Sequence, residues 1–168
     1  EEVEEVLSMM DLTGGEAWGN LQEYMTSTLE VDYKGEKVNL SMVRNLAYDE
    51  SAEVRKAAYE AELAGYEKIK EPVAFALNNI KKQVNTVAKL RGYESPLAMT
   101  LEDSRMQRST LDAMLKAMDK HMPKFRAYMK RKAELLGHEN GLPWYDLFAP
   151  LGESDRKFTV EEARDYLV

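Results

Sequence analysis

The sequence predicts a mainly α-helical chain: an antiparallel array of long kinked helices with one small β-hairpin near residues 28–40. Three observations predict it. Apolar residues recur three and four apart over most of the 168 residues, which puts them on one helix face. Helix-start and helix-stop residues punctuate those runs. Alternation of apolar and polar residues is confined to one stretch, TSTLEVDYKGEKVNL.

Glu1 to Met10 is already helical in composition, and Thr13-Gly14-Gly15 breaks the run. Ala17, Trp18, Leu21, Tyr24 and Met25 then follow helical spacing, so a helix is expected over residues 16–26. Leu29, Val31 and Tyr33 alternate with polar residues, Lys34-Gly35-Glu36 can turn, and Val38 and Leu40 resume the alternation. A lone hairpin is marginally stable, so this one has to pack on helices or pair with something else. Asn39 or Ser41 caps a short helix carrying Met42, Val43 and Leu46, and Asp49 or Ser51 caps the next.

From Ala52 to Leu90 the pattern is helical throughout. Val54, Ala58 and Ala61 lead into Leu63, Tyr66 and Ile69, and then into Val73, Leu77, Ile80, Val84 and Val87. Pro72 interrupts this run, where an interior proline costs about 3 kcal/mol. The stripe keeps its phase across Pro72, which predicts one kinked helix rather than two. Arg91-Gly92 ends the run, and Ser95-Pro96 starts a short helix with Pro at its first position. Ser109 with Asp112 opens the last long helix, whose Leu111, Leu115, Met118, Met122, Phe125 and Met129 alternate spacings of four and three. Pro123 predicts a second kink, and Gly137 closes the helix. Thr159 and Glu162 form a capping box that opens another. No repeat of fixed period is present. The chain reads as a single helical segment over 1–168: short helices and the hairpin in 1–48, long helices in 49–137, a loop and a helix start in 138–168. Both ends read as interior to a longer protein.

Composition excludes several classes. The absence of cysteine removes thiolate zinc sites, thiol catalysis and disulfides, and suits a reducing, cytoplasmic compartment. A net charge of −7 argues against nucleic acid and against anionic membrane as partners. No apolar run approaches the roughly 20 residues of a membrane span.

Candidate chemistry is sparse. His138-Glu139 are the first two letters of H-E-x-x-H, in which two histidines four apart on one helix face bind zinc and the glutamate serves as base. Position 142 is Leu and Pro143 follows, so the pair reads as an exposed loop His and Glu. His121 is the one other histidine, near Asp119; Glu134 could share a face with His138, but zinc needs three protein ligands. Lys120, Lys124, Arg126, Lys130, Arg131 and Lys132 make a basic run with Phe125 and Tyr128 inside it, read as a solvated helix face. Met114, Met118 and Met122 line one stripe, read as helix–helix core rather than a peptide groove. There is no G-x-S-x-G, G-x-G-x-x-G or P-loop.

Several stretches together carry a resemblance. They are AWGNLQEYMTSTLEV with DYKGEKVNLS, then LAYDESAEVRKAAYEAELAGYEKI, ALNNIKKQVNTVAKLRGYESPL and RKAELLGHENGLPWYDLFAPLG. The acidic turn before Glu53-Val54-Arg55 is similar to a D-x-x-V-R helix start, and Tyr145-Asp146-Leu147-Phe148-Ala149-Pro150 to an aromatic-Asp-Leu-x-x-Pro turn. In their order and spacing they resemble oligoendopeptidase F, in the thimet-oligopeptidase superfamily of zinc peptidases. The resemblance implies a large, mostly helical enzyme with a deep channel that hydrolyses short peptides and excludes folded proteins. Its H-E-x-x-H helix, its further zinc ligand and its oxyanion-stabilising His and Tyr have no matching position here. No catalytic, cofactor-binding or metal-ligating residue is therefore assigned to this chain. It is expected to be a channel-wall segment that is inactive alone, with zinc in the full-length parent and none bound by the segment. The expected partners are short peptide substrates and the missing C-terminal catalytic part. The rival readings are a free-standing helical module that binds peptides on the Met stripe, and an inactive homologue kept as a scaffold.

Overall fold

A computed structural model of the chain describes residues 2–152 and 158–167. Residues 153–157, within the loop expected in 138–168, lie outside the described residues, as do Glu1 and Val168. The architecture is mainly α-helical with one two-stranded hairpin.

Gly14 alone separates α1 (Glu2–Thr13) from α2 (Gly15–Ser27). The hairpin pairs β1 (Glu30–Tyr33) with β2 (Glu36–Asn39), Val31 opposite Val38. Its two-residue turn holds Lys34 at φ 51° and Gly35 at φ 86°, the paired positive angles of a type I′ turn. Alternation sends Val31 fully inward, with Leu29 buried beside it. Asn39 caps α3 (Leu40–Asn45), accepting from the Met42 N–H at 2.8 Å; a 3₁₀ turn, Leu46–Tyr48, follows. Ser51 caps α4 (Ala52–Tyr66) from Val54 N–H at 3.4 Å, and Asp49 accepts from Ser51 N–H at 2.8 Å.

The stretch from Ala52 to Leu90 is not one kinked helix. α4 ends at Tyr66 and α5 runs from Lys70 to Leu90. Inside a continuous helix the Pro72 ring would clash with the Lys68 carbonyl and leave it unpaired. The chain instead turns between the two helices, with Lys68 N–H on Gly65 O at 3.0 Å and Ile69 N–H on Tyr66 O at 3.1 Å. Pro72 then sits in the first turn of α5, where no N–H is required of it. The break also moves the buried face: Ala76 is covered and Leu77 is 52 % exposed.

Ser95 accepts from Ala98 N–H at 3.1 Å and caps α6 (Pro96–Asp103), with Pro96 in its first turn. α7 (Arg108–Leu135) starts one residue before Ser109; Gln107 is its N-cap and makes no side-chain cap bond. α7 continues through Pro123 without ending. The capping box of α8 (Val160–Leu167) is complete: Thr159 N–H reaches Glu162 Oε2 at 2.8 Å, and Glu162 N–H reaches Thr159 Oγ1 at 3.1 Å.

The main core forms where the hairpin and α3 lie on α4. Leu29, Val31, Leu40, Val43, Ala58 and Ile69 are its buried members. The close approach is at Gly65, where an added Cβ would stand 3.0 Å from Val31 Cγ2. α2 packs along α5, with Trp18 edge-on to Phe75 at 5.6 Å between ring centres, and α1 lies on α2. Arg91 of α5 grips Glu4 of α1 through Nε at 3.0 Å and Nη2 at 2.5 Å.

The Met stripe of α7 is not helix–helix core among the described residues. Every residue from Asp112 to Tyr128 is exposed, Met118 at 55 %. Period shows which face of a helix is apolar; it does not show that the covering surface lies in the same chain.

Gly65→Val should cost about 2 kcal/mol by overpacking against a side chain that cannot move aside. Gly35→Ala should cost about 1 kcal/mol through its left-handed backbone alone. Urea denaturation followed by far-UV circular dichroism checks both. A neutral Gly65→Val would contradict the packing of β1 on α4.

Candidate functional site

The most deeply buried charged groups form one cluster. Arg55, one turn into α4, puts Nε and Nη2 each 2.8 Å from Asp146 Oδ1. The two side chains are 3 % and 2 % exposed. The remaining guanidinium nitrogen, Nη1, donates to the carbonyls of Asp49 at 2.7 Å and Glu50 at 2.9 Å, closing the loop ahead of its own helix. Asp146 is delivered by a 3₁₀ turn, Trp144–Asp146, entered through Pro143 at φ −67°. Its second oxygen, Oδ2, lies 2.6 Å from His138 Nε2. Nearby, Lys132 Nζ donates to the Leu147 carbonyl at 2.9 Å.

Local geometry at the end of α7 positions His138. Gly137 takes φ 80°, its N–H reaches Glu134 O at 3.1 Å, and the His138 N–H returns to Ala133 O at 2.9 Å. This Schellman ending folds the residue after the glycine back beneath the helix. His138 is accordingly half-buried on Asp146, not the exposed loop residue expected from the sequence, whereas Glu139 is exposed as expected. Lys132 likewise leaves the basic run and is buried. Lys120, Lys124, Arg126, Lys130 and Arg131 remain on the surface of α7.

This arrangement is a lock. A buried carboxylate costs several kcal/mol to desolvate, and a guanidinium with further hydrogen bonds offsets that cost. No buried side-chain nitrogen or oxygen lacks a partner among the described residues. An aspartate orienting a histidine is half of a nucleophile triad, but here Asp146 is already neutralised by Arg55 and has both oxygens committed. A general base needs an oxygen free to face a substrate.

Nor do these residues fit zinc. Among the described residues no three His, Cys, Asp or Glu side chains converge. His138 Nε2 is spent on Asp146, and Glu134 on Arg131 at 3.0 Å. No helix of the described residues is long and apolar enough to cross a membrane.

Beside the lock lies an open groove of about 510 Å³ between α3, α4 and the Asp146 turn. Arg55 and Ala58 are among its lining residues, and its rim carries Tyr48 against Phe148 at 5.0 Å and Tyr59 against Tyr145 at 6.1 Å. Trp144 stands 70 % exposed at its mouth. On one wall Glu62 meets Arg44 Nε at 3.4 Å and accepts from the Tyr66 hydroxyl at 2.5 Å. Burial first, then the bond to Glu62 and its charge, push the Tyr66 phenol up to about 12. Such a groove can bind an apolar or aromatic side chain.

The comparison that decides the family covers both halves of the lock. Residues 45–165 match peptidase family M3. The chain belongs to that family. Among M3 relatives, the group B oligopeptidase PepB of Streptococcus agalactiae is 31 % identical over 132 residues, 77 % of this chain and 22 % of its own. The oligopeptidase PepF of Bacillus subtilis is 30 % identical over 125 residues, 74 % of this chain and 18 % of its own. The solved oligoendopeptidase-F from Enterococcus faecium superposes with a TM-score of 0.69 at 26 % identity, over 91 % of this chain and 30 % of that one. A Chlamydophila abortus structure at 20 % identity shares the fold, with a TM-score of 0.77 over 96 % of this chain and 28 % of that one. The chain thus spans about a quarter of the length of curated relatives it matches, 22 % of PepB and 26 % of an oligoendopeptidase F homologue of Lactococcus lactis.

The oligoendopeptidase F resemblance read from the sequence rested on several stretches in order, two of which carry motifs containing Arg55 and Asp146. The structure joins them as the partners of one ion pair, 91 positions apart. Sequence reasoning carried each as a family mark and missed the pairing, along with the parts played by His138 and Lys132.

Asp146→Ala should cost about 3–5 kcal/mol, because it strands a buried guanidinium. The double variant Arg55→Met/Asp146→Leu should cost less than Asp146→Ala alone. Urea denaturation checks both, and a loss under about 1 kcal/mol for Asp146→Ala would contradict the lock. For Tyr66 the folded state holds the phenolic proton more tightly than the unfolded chain, whose phenols titrate near 10. Its contribution to stability is therefore complete below about pH 10 and is lost as pH rises through about 12. Alkaline absorbance titration should show one tyrosine ionising near 12, and Glu62→Gln should lower it.

Proposed function

We propose that this chain is a helical wall segment of a zinc-dependent oligoendopeptidase, covering a channel in which short peptides are hydrolysed elsewhere in the same protein. One observation carries the reading: curated M3 relatives align with 74–87 % of this chain using only 18–26 % of their own length. Those relatives are named as oligopeptidases and oligoendopeptidase F homologues. The zinc, its ligands and the catalytic acid–base groups belong, on this reading, to the remaining polypeptide. The chemistry of the segment is consistent with that division. Among the described residues its buried ionisable groups are committed to one another or, for Lys132, to a backbone carbonyl, work that fixes helices. A channel that selects substrates by length needs rigid walls, and packed, capped helices supply them. The setting we assign is cytoplasmic, in keeping with a chain free of cysteine.

The purified chain, supplied with zinc and a quenched short peptide, should give no hydrolysis above buffer. The longer protein that contains it should cleave the same peptide and stop when a chelator is added. Chelator-sensitive cleavage by the isolated chain would overturn the reading.

A further inference from the structure

The apolar face of α7 is the largest feature that neither the lock nor the groove uses. α7 has 28 residues and is therefore about 42 Å long. Its C-terminal end is anchored through buried Lys132 and Ala133, while everything from Asp112 to Tyr128 is exposed. A helix with no packed face, carrying a proline at its middle, is marginal in water, because helix stability comes mainly from packing an apolar face. Yet the sequence of this stretch is built to be packed. Leu111, Leu115, Met118, Met122, Phe125 and Met129 alternate spacings of four and three, the 3.5-residue period of a seam that receives another helix. Met114 and Tyr128 widen the seam on one flank.

Most of the positive charge is sorted away from it. With the seam at the a and d positions, Lys116, Lys120, Lys124, Lys130 and Arg131 fall at b, c or f, on the opposite face, while Arg126 falls at e, on the flank, in the same register as Asp112 and Asp119. A surface meant for phosphates or anionic lipid would bring those cations to the contact face. Here most of them point away and Arg126 shares its flank with two aspartates, so the occupant is an apolar helix and the cations stay in water.

We infer that the seam from Leu111 to Met129 is the docking surface for an amphipathic helix in the part of the M3 peptidase that this chain does not span. This rests on the proposed function. The occupant is argued from length: the chain covers 28–30 % of solved relatives with which it shares the fold at TM-scores of 0.69–0.77, so most of their polypeptide has no counterpart here. The lock places α7 by its last turn and leaves the seam presented, which makes α7 the joint between this segment and the catalytic remainder.

Hydrogen exchange read by mass spectrometry on the 168-residue chain and on the full-length peptidase tests it. Amides 112–128 should exchange freely in the chain alone and be protected at least about 100-fold more in the full-length protein. Met118→Asp/Phe125→Asp should leave the urea midpoint of the chain alone unchanged and abolish that added protection; Lys116→Glu/Lys124→Glu, on the opposite face, should leave both the midpoint and the added protection unchanged. Equal exchange in both proteins, while the full-length protein still cleaves peptides, overturns the docking surface and leaves the proposed function standing. A coding sequence with no further M3 polypeptide overturns both. Protection in the chain alone that grows with its concentration assigns the seam to a second copy and overturns this occupant; saturable binding of an unrelated amphipathic peptide by the chain overturns it in favour of a free-standing module.

Discussion

The structure depends on one buried interaction, the pairing of Arg55 with Asp146. Each group alone would be prohibitive at that depth, and together they are neutral and fully hydrogen-bonded. The pair does more than balance charge. Arg55 holds the Asp49 and Glu50 carbonyls, which fixes the entry to α4 and so the helix on which the hairpin lies. Asp146 holds His138, which fixes the exit of α7, and the adjacent Leu147 carbonyl holds Lys132. Three separate parts of the chain therefore meet at one carboxylate. Apolar packing could not do this here, because the buried side chains near it are small: Ala58, Ala133 and Ala149. A polar lock is directional where an alanine contact is not, and direction is what a helix needs if it projects away from the body.

Much of the local structure was legible in the sequence, because capping and turn chemistry act over three or four residues. Asn39, Ser51, Ser95 and the Thr159/Glu162 box all cap where their spacing said they could. Gly92 and Gly137 end helices in the left-handed conformation. The misreadings have physical causes. The three-residue break between α4 and α5 leaves apolar residues three and four apart on both sides, so the stripe looks continuous across Pro72 although the buried face moves. Ser109 resembles a cap, but Gln107 takes that place without a side-chain bond. His138 was judged by its missing metal partner, whereas its bonding partner is an aspartate eight residues on, and only a Schellman ending brings the two together. The lock itself was illegible because nothing local links residues 91 apart.

The same physics separates what this segment does from what it lacks. Among the described residues no buried side-chain nitrogen or oxygen lacks a partner, the groove is rimmed by aromatics, and the longest helix presents an apolar seam to solvent. Those features are the ones on which the proposed wall role rests. The chain belongs to peptidase family M3 and covers a small share of each relative, and the proposed docking surface on α7 rests on that share.

The central claim is that the Arg55–Asp146–His138 lock sets the direction of α7. The chain has no cysteine, so single cysteines at exposed Lys56 on α4 and Lys120 on α7 can carry spin labels without further changes. The decisive measurement is the distance distribution between those labels by pulsed electron paramagnetic resonance, in the native background and in Asp146→Ala, with far-UV circular dichroism to confirm that the helices persist. The account predicts one narrow distribution that becomes broad when Asp146 is removed. A distribution equally narrow and centred at the same distance in the variant would contradict it.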